Sequence, residues 1–575
     1  MSEDISTPSL RLLALAPFAG DAEAKPRRIE IDKDRFDAAL ASVAPRLALA
    51  LPNRLGAGED PLHVSLSFER LADFAPGAIV ERVPVLARLR EARDAIDALE
   101  RGEIDLAGLR TRTAGALPAA WLDALEASNA GSTATASPEP PEATGNVDSI
   151  LDLVETSPAS GDVRDTARRL VGGLAAGRAR SAAAPRTATA ALRAQLDESL
   201  GAQLDALLAA PSFCALESTW RGLKLLVDRT DFREPIALEL VSAPVDEAAA
   251  VVAALEEGDD VDLVLADYAF DASARDLERL ERIAAAAATA QTPVATAVAP
   301  AFLGLESWRG LARLRDPNTL LGEPAYADWR SLRERDDARW IVLMANRVAL
   351  RAAYGPQGES TRGLPYQQHA KEGLLGSPVW ALGAVLSRTF ARTRACLQFT
   401  GAQNGLLSDL PLLPFGPDDK PAPVEGVFSN ERREDLERAG LAVLQLYQRD
   451  TAFLGAARSF RKPPRYPDAE ATADAAQQTT LAYQLYASRF VKFLGRVVPL
   501  LSGLEGPEAV KQELRSQVLR LLSTPEKPLR ADHVGVEVRD HPDDASLYVV
   551  SLRALPEITI AGRPANMLMS FAVRR

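Results

Sequence analysis

Histidine side chains are the first candidates for chemistry in this chain, and their spacing favours no metal site. The four histidines are His63, His369, His533 and His541, and no two of them have the H-x-x-x-H spacing of a ligand pair. His369 lies three residues before Glu372, but no third ligand lies nearby in sequence. The sequence therefore predicts no metal ion.

Nucleophiles and phosphate-binding loops are equally poorly supported. The two cysteines, Cys214 and Cys396, cannot build a disulfide framework or a thiolate metal site. Cys214 lies between Phe213 and Ala215 in an apolar stretch, which favours a small core residue over a nucleophile. The sequence contains neither G-x-x-x-x-G-K-[ST] nor G-x-S-x-G. We therefore expect no enzyme and no cofactor, with an undetected cytoplasmic enzyme as the alternative.

The motif Trp-Arg-Gly occurs twice, in "LESTWRGLKLL" from Leu216 to Leu226 and in "LESWRGLARL" from Leu305 to Leu314. In the first copy, apolar residues recur at intervals of three and four, which predicts a buried stripe on a helix. The predicted core-packing residues are Phe213, Leu216, Trp220 and Leu223. Arg221 lies off this stripe, where it could pair with a carboxylate. The second copy is one residue shorter, which rotates a helix by about 100°, so the two are not a strict repeat.

The composition bounds the class of protein. A chain of 575 residues suggests roughly three or four domains. The formal net charge of −13 argues against nucleic-acid binding, because an acidic surface repels phosphate. No apolar run approaches the roughly 20 residues of a membrane span, and "MSEDISTPSL" lacks the pattern of a secretory signal. We expect a cytoplasmic protein.

The elements that would position these residues indicate an α/β (mixed α+β) fold. "LRLLALA" (Leu10–Ala16) and "LHVSLSF" (Leu62–Phe68) are strand candidates, and a helix is expected from Asp32 or Asp34 through Arg46. Farther on, strands alternate with helices, and the chain closes on "HVGVEVRD", "SLYVVSLRALP" and "MLMSFAVRR". This alternation is typical of an α/β layer that ends in sheet.

Two families resemble successive parts of the chain. "FCALESTWRGLKLLV", "LADYAF", "WRSLRERDDARWIVLMANRVALRAAYGP", "SNERREDLERAGL" and "SFRKPPRYPDAEATADAA" resemble, in this order, the large sheath subunit (TssC) of bacterial type VI secretion systems. "RRIEIDKDRFDAALASVAPRLALALPN" and "VSLSFERLADFAPGAIVERVPVLARLREARDAI" resemble the small sheath subunit (TssB). The resemblance implies a fusion: residues 1–127 as small subunit, 128–146 as flexible linker, 147–190 as the N-terminal helical segment of the large subunit, and 191–575 as its sheath domains.

The resemblance also implies a mechanical function. Such protomers form a helical homopolymer around an inner tube of haemolysin-coregulated protein, and its contraction drives tube and spike outward from a baseplate. A Clp-family AAA+ unfoldase then dismantles the contracted sheath by the N-terminal segment of the large subunit. Its expected recognition residues here are Ile150, Leu151 and Val154. A sheath or baseplate component of another phage-tail-like injection system is the alternative.

The two chain ends are expected to link neighbouring protomers by strand exchange. Main-chain hydrogen bonds would hold such a shared strand, as in β-augmentation. The predicted exchange residues are Leu10, Leu12, Leu13, Met567, Met569, Phe571 and Val573. In the last strand, the larger side chains alternate with smaller ones, so the larger set should face a core.

Overall fold

The structure is a computed structural model. It describes residues 9–23, 26–55, 60–113, 184–255, 260–314, 316–369, 373–414, 420–522, 530–555 and 558–575. Among these residues, no single helix is long and apolar enough to cross a membrane; one bent pair, Thr189–Leu208 with Pro211–Arg229, meets the criterion only jointly, across a 70° bend.

The strands and helices are numbered here in chain order. The strands are β1 (Leu10–Ala16), β2 (Ile29–Glu30), β3 (Arg46–Leu51), β4 (Leu62–Ser67), β5 (Ile236–Ser242), β6 (Leu263–Phe270), β7 (Val294–Val298), β8 (Ile341–Ala345), β9 (Val348–Arg351), β10 (Leu374–Gly376), β11 (Leu406–Leu407), β12 (Leu441–Gln448), β13 (Thr451–Leu454), β14 (Val534–Asp540), β15 (Leu547–Ala554), β16 (Thr559–Ile560), β17 (Arg563–Pro564) and β18 (Met567–Arg574). The described helices are α1 (Phe36–Val43), α2 (Pro76–Arg82), α3 (Pro84–Glu100), α4 (Leu106–Arg112), α5 (Ala184–Leu208), α6 (Pro211–Arg229), α7 (Ala248–Ala253), α8 (Ala274–Ala290), α9 (Pro317–Leu321), α10 (Ala327–Glu334), α11 (Pro378–Thr393), α12 (Gly401–Asn404), α13 (Asn430–Arg438), α14 (Ala469–Gln478), α15 (Leu481–Leu501) and α16 (Pro507–Leu522).

A nine-stranded mixed sheet organises the main body, in the order β11-β13-β12-β8-β7-β6-β1-β5-β2. The inner strands from β12 to β5 run parallel, while β2, β13 and β11 pair antiparallel at the two sides. Helices cover both faces, as a largely parallel sheet requires. The expected α/β class is confirmed.

Strand β1 supplies both faces of this sheet with apolar side chains. Leu12 and Ala14 enter the core on the side of α6 and α11, whereas Leu13 and Leu15 enter the core on the side of α8 and α10. Successive side chains of a strand point to opposite faces, so the continuous apolar run from Leu12 to Ala16 suits a strand that is buried on both faces.

A smaller C-terminal module has its own core. The second half of α15 and helix α16 pack on a three-stranded antiparallel sheet in the order β14-β15-β18. Its core includes Phe493, Leu514, Val550 and Val573. The three strands predicted at the end of the sequence form this sheet.

One predicted helix boundary is wrong. Helix α1 ends at Val43, and Ala44 adopts a left-handed conformation with φ 52° before Pro45. Arg46 instead begins β3, which pairs antiparallel with β4 and buries alternate side chains. Proline after a left-handed cap residue cannot continue a helix, and this ends α1.

Candidate assembly surface

Strand β18 forms one border of the C-terminal sheet. It pairs with β15 over eight residues, from Ala554 opposite Met567 to Leu547 opposite Arg574. Among the described residues, no strand pairs with its other side. A strand of this length therefore presents a row of main-chain donors and acceptors for another strand.

The side chains of β18 alternate as the sequence predicted. Met567 and Val573 are buried, and Met569 and Phe571 are half-buried against the module core. The opposite face is exposed, and Leu568 on it is 79% accessible. An apolar side chain exposed to this degree beside an open edge suits contact with another chain.

The end of β18 is held in place by Arg575, the residue that follows the strand. The amide of Arg575 donates to the carbonyl of Ser546 at 2.9 Å, and its guanidinium lies 4.6 Å from the ring centre of Tyr548. The same guanidinium pairs with Asp540. The strand is thus presented in a fixed position rather than as a loose tail.

The other predicted exchange strand lies in a different setting. Leu10, Leu12 and Leu13 belong to β1, which pairs with β5 on one side and β6 on the other. Both edges of β1 are therefore occupied within the chain. This placement counts against exchange of β1, because donation would require its removal from the middle of the main sheet.

Helix α15 joins the main body to the C-terminal module. Arg489 forms a two-point pair with Asp262, with Nε to Oδ1 at 2.6 Å and Nη2 to Oδ2 at 3.2 Å. Lys492 donates to the carbonyl of Val261 and, at 2.8 Å, to the hydroxyl of Thr292. These residues bind the segments that enter β6 and β7. Sequence reasoning missed this joint, although three cations at Arg489, Lys492 and Arg496 share one helix face.

The first Trp-Arg-Gly motif packs the centre of the main body. The residues Phe213, Leu216, Trp220 and Leu223 are all buried in the core beneath α6. The indole of Trp220 donates to the carbonyl of Phe18 at 3.0 Å, which joins α6 to the segment after β1. The glycine of the motif lies against Trp380, because a Cβ at Gly222 would come within 2.1 Å of the Trp380 ring.

A buried ion cluster surrounds Glu217 on the same helix. Arg351 donates to both carboxylate oxygens, at 2.7 and 2.8 Å, and Arg221 donates to Oε1 at 2.7 Å. The hydroxyl of Tyr354 also donates to Oε1, at 3.0 Å. Burial alone would raise the pKa of the Glu217 carboxyl, but the Arg351 and Arg221 guanidiniums outweigh it and hold that pKa below its usual range. The predicted carboxylate partner of Arg221 is thus Glu217.

The second Trp-Arg-Gly copy and a further Trp-Arg pair, Trp329 and Arg330, also have packing contacts. Trp308 is buried at the start of a short 3-10 helix, and Trp329 on α10 lies edge-on to Phe302 with ring centres 5.0 Å apart. Arg330 donates to the carbonyls of Leu321 and Glu323, at 3.0 and 2.6 Å. Trp308 and Trp329 are therefore core residues, and Arg330 holds the backbone before α10 in place.

The candidate chemical residues lie apart. Within the described ranges, no three histidine, cysteine or acidic residues are placed to hold a metal ion. His369 pairs with Asp205, which also accepts from the hydroxyl of Tyr366 at 2.5 Å. Burial raises the pKa of the Cys396 thiol to about 12, which disfavours the reactive thiolate. Ile150, Leu151 and Val154 lie outside the described residues.

Two parts of the chain match known protein families. Residues 190–262 and 254–461 match the tail sheath N-terminal domain of the VipB (EvpB) family. Residues 9–116 match the VipA family of type VI secretion systems.

Two curated relatives come from Pseudomonas aeruginosa. The sheath protein TssC1 is 30% identical over 339 residues, which covers 53% of this chain and 68% of TssC1. The sheath protein TssB1 is 45% identical over 65 residues, 11% of this chain and 37% of TssB1, so the match spans little more than a third of that relative. A solved sheath tail protein from Desulfitobacterium hafniense aligns over 58% of this chain and 61% of its own, at 11% identity and a TM-score of 0.31.

Proposed function

This chain belongs to the sheath proteins of type VI secretion systems, with a TssB-like and a TssC-like region in one polypeptide, and on this premise we propose that it is by itself the complete building block of a contractile sheath. The chain polymerises into a helical tube in the cytoplasm. Contraction of that tube drives an inner tube and spike into a target cell.

One observation carries this proposal: the two regions share a single sheet. Strand β1 of the TssB-like region lies between β5 and β6 of the TssC-like region, with seven residue pairs to β5 and four to β6. Arg93 on α3 also donates to Asp197 on α5 at 2.6 Å. Strand β1 cannot leave the sheet of the TssC-like region without disrupting that sheet. The two regions therefore stay together in a fixed one-to-one ratio.

Expression of the chain alone in a foreign host tests this self-sufficiency. We expect electron microscopy to reveal long hollow tubes without any added small subunit. A monodisperse monomer over a range of salt and protein concentrations would contradict the proposal.

Neighbouring protomers are proposed to link along the free edge of β18. About every second residue of an edge strand directs its main-chain groups outward, so an eight-residue strand provides about four outward-facing residues. Each main-chain hydrogen bond contributes a net of roughly 0.5–1.5 kcal/mol, so a full set stabilises the link by several kcal/mol. Such a link can hold neighbours together while other contacts rearrange.

Three further partners complete the proposed function. The polymer surrounds an inner tube of haemolysin-coregulated protein and is anchored at the cell envelope through a baseplate. A Clp-family AAA+ unfoldase recognises the segment 147–190 through Ile150, Leu151 and Val154. Residues 128–146 are proposed as the linker between the TssB-like and TssC-like regions.

A paired substitution tests the recognition segment. Replacement of Leu151 and Val154 by aspartate should leave assembly intact and prolong the lifetime of contracted sheaths in cells, because two of the three proposed recognition side chains are no longer apolar. Aspartate at Ser149 and Ser157 is the matched control, with the same added charge at polar positions. Normal disassembly in the Leu151/Val154 variant would rule out this recognition role.

A further inference from the structure

A short hairpin, residues 558–565, lies between β15 and β18 in the chain. Its strands β16 and β17 pair antiparallel. The turn residues Ala561 and Gly562 both have positive φ, 51° and 78°. A two-residue turn of this kind twists in the same sense as the strands that it joins. The amide of Ala565 donates to the carbonyl of Ile558 at 2.9 Å, which closes the hairpin at its base.

The hairpin packs on the main body, although the strands on either side of it belong to the module. Ile560 and Ala565 are buried in the core of the main body, and Ile558 packs against the same core. Val550 of β15 and Val573 of β18 are buried in the core of the module instead. The hairpin therefore reaches from the module to the body, and the chain returns to the module at β18.

Polar contacts hold the hairpin against α14. The side chain of Gln477, near the end of this helix, is buried. Its amide donates to three hairpin carbonyls, those of Ile560, Arg563 and Pro564, at 3.1, 3.1 and 3.2 Å. The amide group has two N–H donors, so three acceptors share them. One turn earlier on α14, Asp474 pairs with Arg563 at 2.7 Å.

The end of α14 is in turn fixed to the main body. The amide of Ser459 donates to the carbonyl of Thr479 at 2.7 Å, and the amide of Leu481 donates to the carbonyl of Ala457 at 2.9 Å. The hairpin is therefore a second attachment between module and body, separate from the contacts of α15 with Asp262.

The place of this second attachment bears on β18. Only Asn566 separates Ala565 from Met567, where β18 begins. Units of one chain that share a small contact commonly move relative to each other. A module held by α15 alone is free to tilt about that helix, whereas the hairpin fixes the start of β18 directly to the body.

We propose that the hairpin 558–565 is a clasp that sets where the open edge of β18 lies relative to the main body. Gln477 and Arg563 are its positioning residues. Under tension from a linked neighbour, the clasp passes the pull on β18 to α14 and the core of the body. The part of this inference that concerns linked neighbours rests on the proposed function, whereas the clasp itself is a property of the single chain.

Distances between two spin labels on the full chain test the clasp. The labels are attached at Glu278→Cys on α8 of the body and Arg539→Cys on β14 of the module, both exposed positions. The native thiols are removed by Cys214→Ser and Cys396→Ala. We expect one narrow distance distribution, because two attachments hold the module in a single orientation.

Removal of the clasp contacts should release this orientation. Gln477→Ala combined with Arg563→Ala should broaden the distance distribution at least twofold. The matched control combines Gln478→Ala, the next residue on α14, with Arg530→Ala, which removes an exposed ion pair with Asp532 of the module. The control should keep the narrow distribution. An unchanged distribution in the clasp variant would overturn the clasp.

Hydrogen exchange separates a released clasp from a lost fold. In the clasp variant, exchange should speed up at the amide of Ala565 and keep the parent rate in β6 and β15. Faster exchange in either strand would show that the hairpin maintains the fold rather than the position of β18, and would overturn the proposal. Arg563→Ala alone should broaden the label distances in the same direction, but less.

Electron microscopy tests the role of the clasp in assembly. The clasp variant should form at least tenfold less tube than the parent chain, while the control variant assembles normally. A broadened distance distribution together with normal tubes would overturn the role of the clasp in placing β18. If the parent chain forms no tubes, the proposed function fails, and the label distances still decide whether the clasp exists.

Discussion

The main body and the C-terminal module end their sheets in opposite ways. The nine-stranded sheet finishes at β2 and β11, each of two residues. The three-stranded sheet finishes at β14 and β18, of seven and eight residues. Soluble proteins commonly shorten edge strands to prevent unwanted pairing, and the body follows that practice while the module does not.

This difference suggests a division of labour. Contacts between residues that are far apart in sequence hold the body together. Examples are the pairing of β1 with β5 and the ion pair between Arg351 and Glu217. The module is connected to the body through α15. Among the described residues, no strand pairs with the outer edge of β18. We infer that the body keeps the protomer folded while the module joins protomers.

Loss of the central ion pair should have the largest effect on stability. Glu217→Gln leaves Arg351 and Arg221 buried without their counter-charge, which typically costs about 3–5 kcal/mol. Hydrogen exchange should speed up in β6 of the body and stay unchanged in β15 of the module. Glu278→Gln, on the exposed face of α8, is the control and should alter neither strand. Equal acceleration in both strands would contradict the separation of the two units.

A methyl group at Gly222 should have the next largest effect. Gly222→Ala places a Cβ within 2.1 Å of Trp380, and such overpacking costs about 1–3 kcal/mol. Gly495→Ala on α15 is a matched control, because no atom lies within 4 Å of its added Cβ. That control should stabilise the helix by roughly 0.5–1 kcal/mol. Thermal denaturation with melting temperatures shifted in opposite directions would support the close approach at Gly222; a neutral Gly222→Ala would refute it.

The sequence was sufficient to predict the strands of the module and the buried face of one helix of the body. Alternation in β18 predicted its buried face, because one side of that sheet meets a core. The stripe from Phe213 to Leu223 likewise predicted the buried face of α6. Both patterns are local, so they can be read from neighbouring residues.

The sequence did not predict which residues pair when they are far apart along the chain. Glu217 and Arg351 are 134 residues apart, and nothing local assigns one to the other. The apolar run from Leu12 to Ala16 in β1 did signal a strand buried on both faces, which already disfavours an end strand available for exchange. The turn at Ala44 and Pro45 was likewise a signal that α1 ends before Arg46.

A buried carboxyl in the body should make its stability depend on pH. Burial raises the pKa of Asp267, although Thr219, Trp380 and Ser377 donate hydrogen bonds that oppose this. The folded chain therefore binds this proton more tightly than the unfolded chain, so stability is greatest below the unfolded pKa of about 4 and falls as pH rises through the folded pKa.

Asp267→Asn should remove that dependence, because the amide has no proton to lose. We expect the melting temperature of the variant to exceed that of the parent near neutral pH and to match it near pH 4. Asp228→Asn, a half-exposed carboxylate on α6, is the control. A parallel pH profile for Asp267→Asn and the parent would contradict the assignment.

Substitution on the open face of β18 should have the smallest effect on stability. Leu568→Asp alters a side chain that is 79% exposed, so stability should change by less than about 0.5 kcal/mol. Tube formation should nevertheless fall sharply in electron micrographs, because the charge would lie beside an added strand. Leu412→Asp, an exposed leucine of the body at 41%, is the control and should assemble normally. Normal tubes from Leu568→Asp would break the contrast between closed body and open module.

An electron cryo-microscopy map of tubes formed by the unmodified chain would show directly whether β18 joins neighbouring protomers. We expect an extended segment of a neighbouring copy beside β18, at the roughly 4.8 Å spacing of paired strands. We also expect β1 between β5 and β6 of its own chain in every protomer. A fully formed tube in which β18 faces solvent, or in which β1 enters the sheet of a neighbour, would show that β18 does not link protomers or that β1 is exchanged.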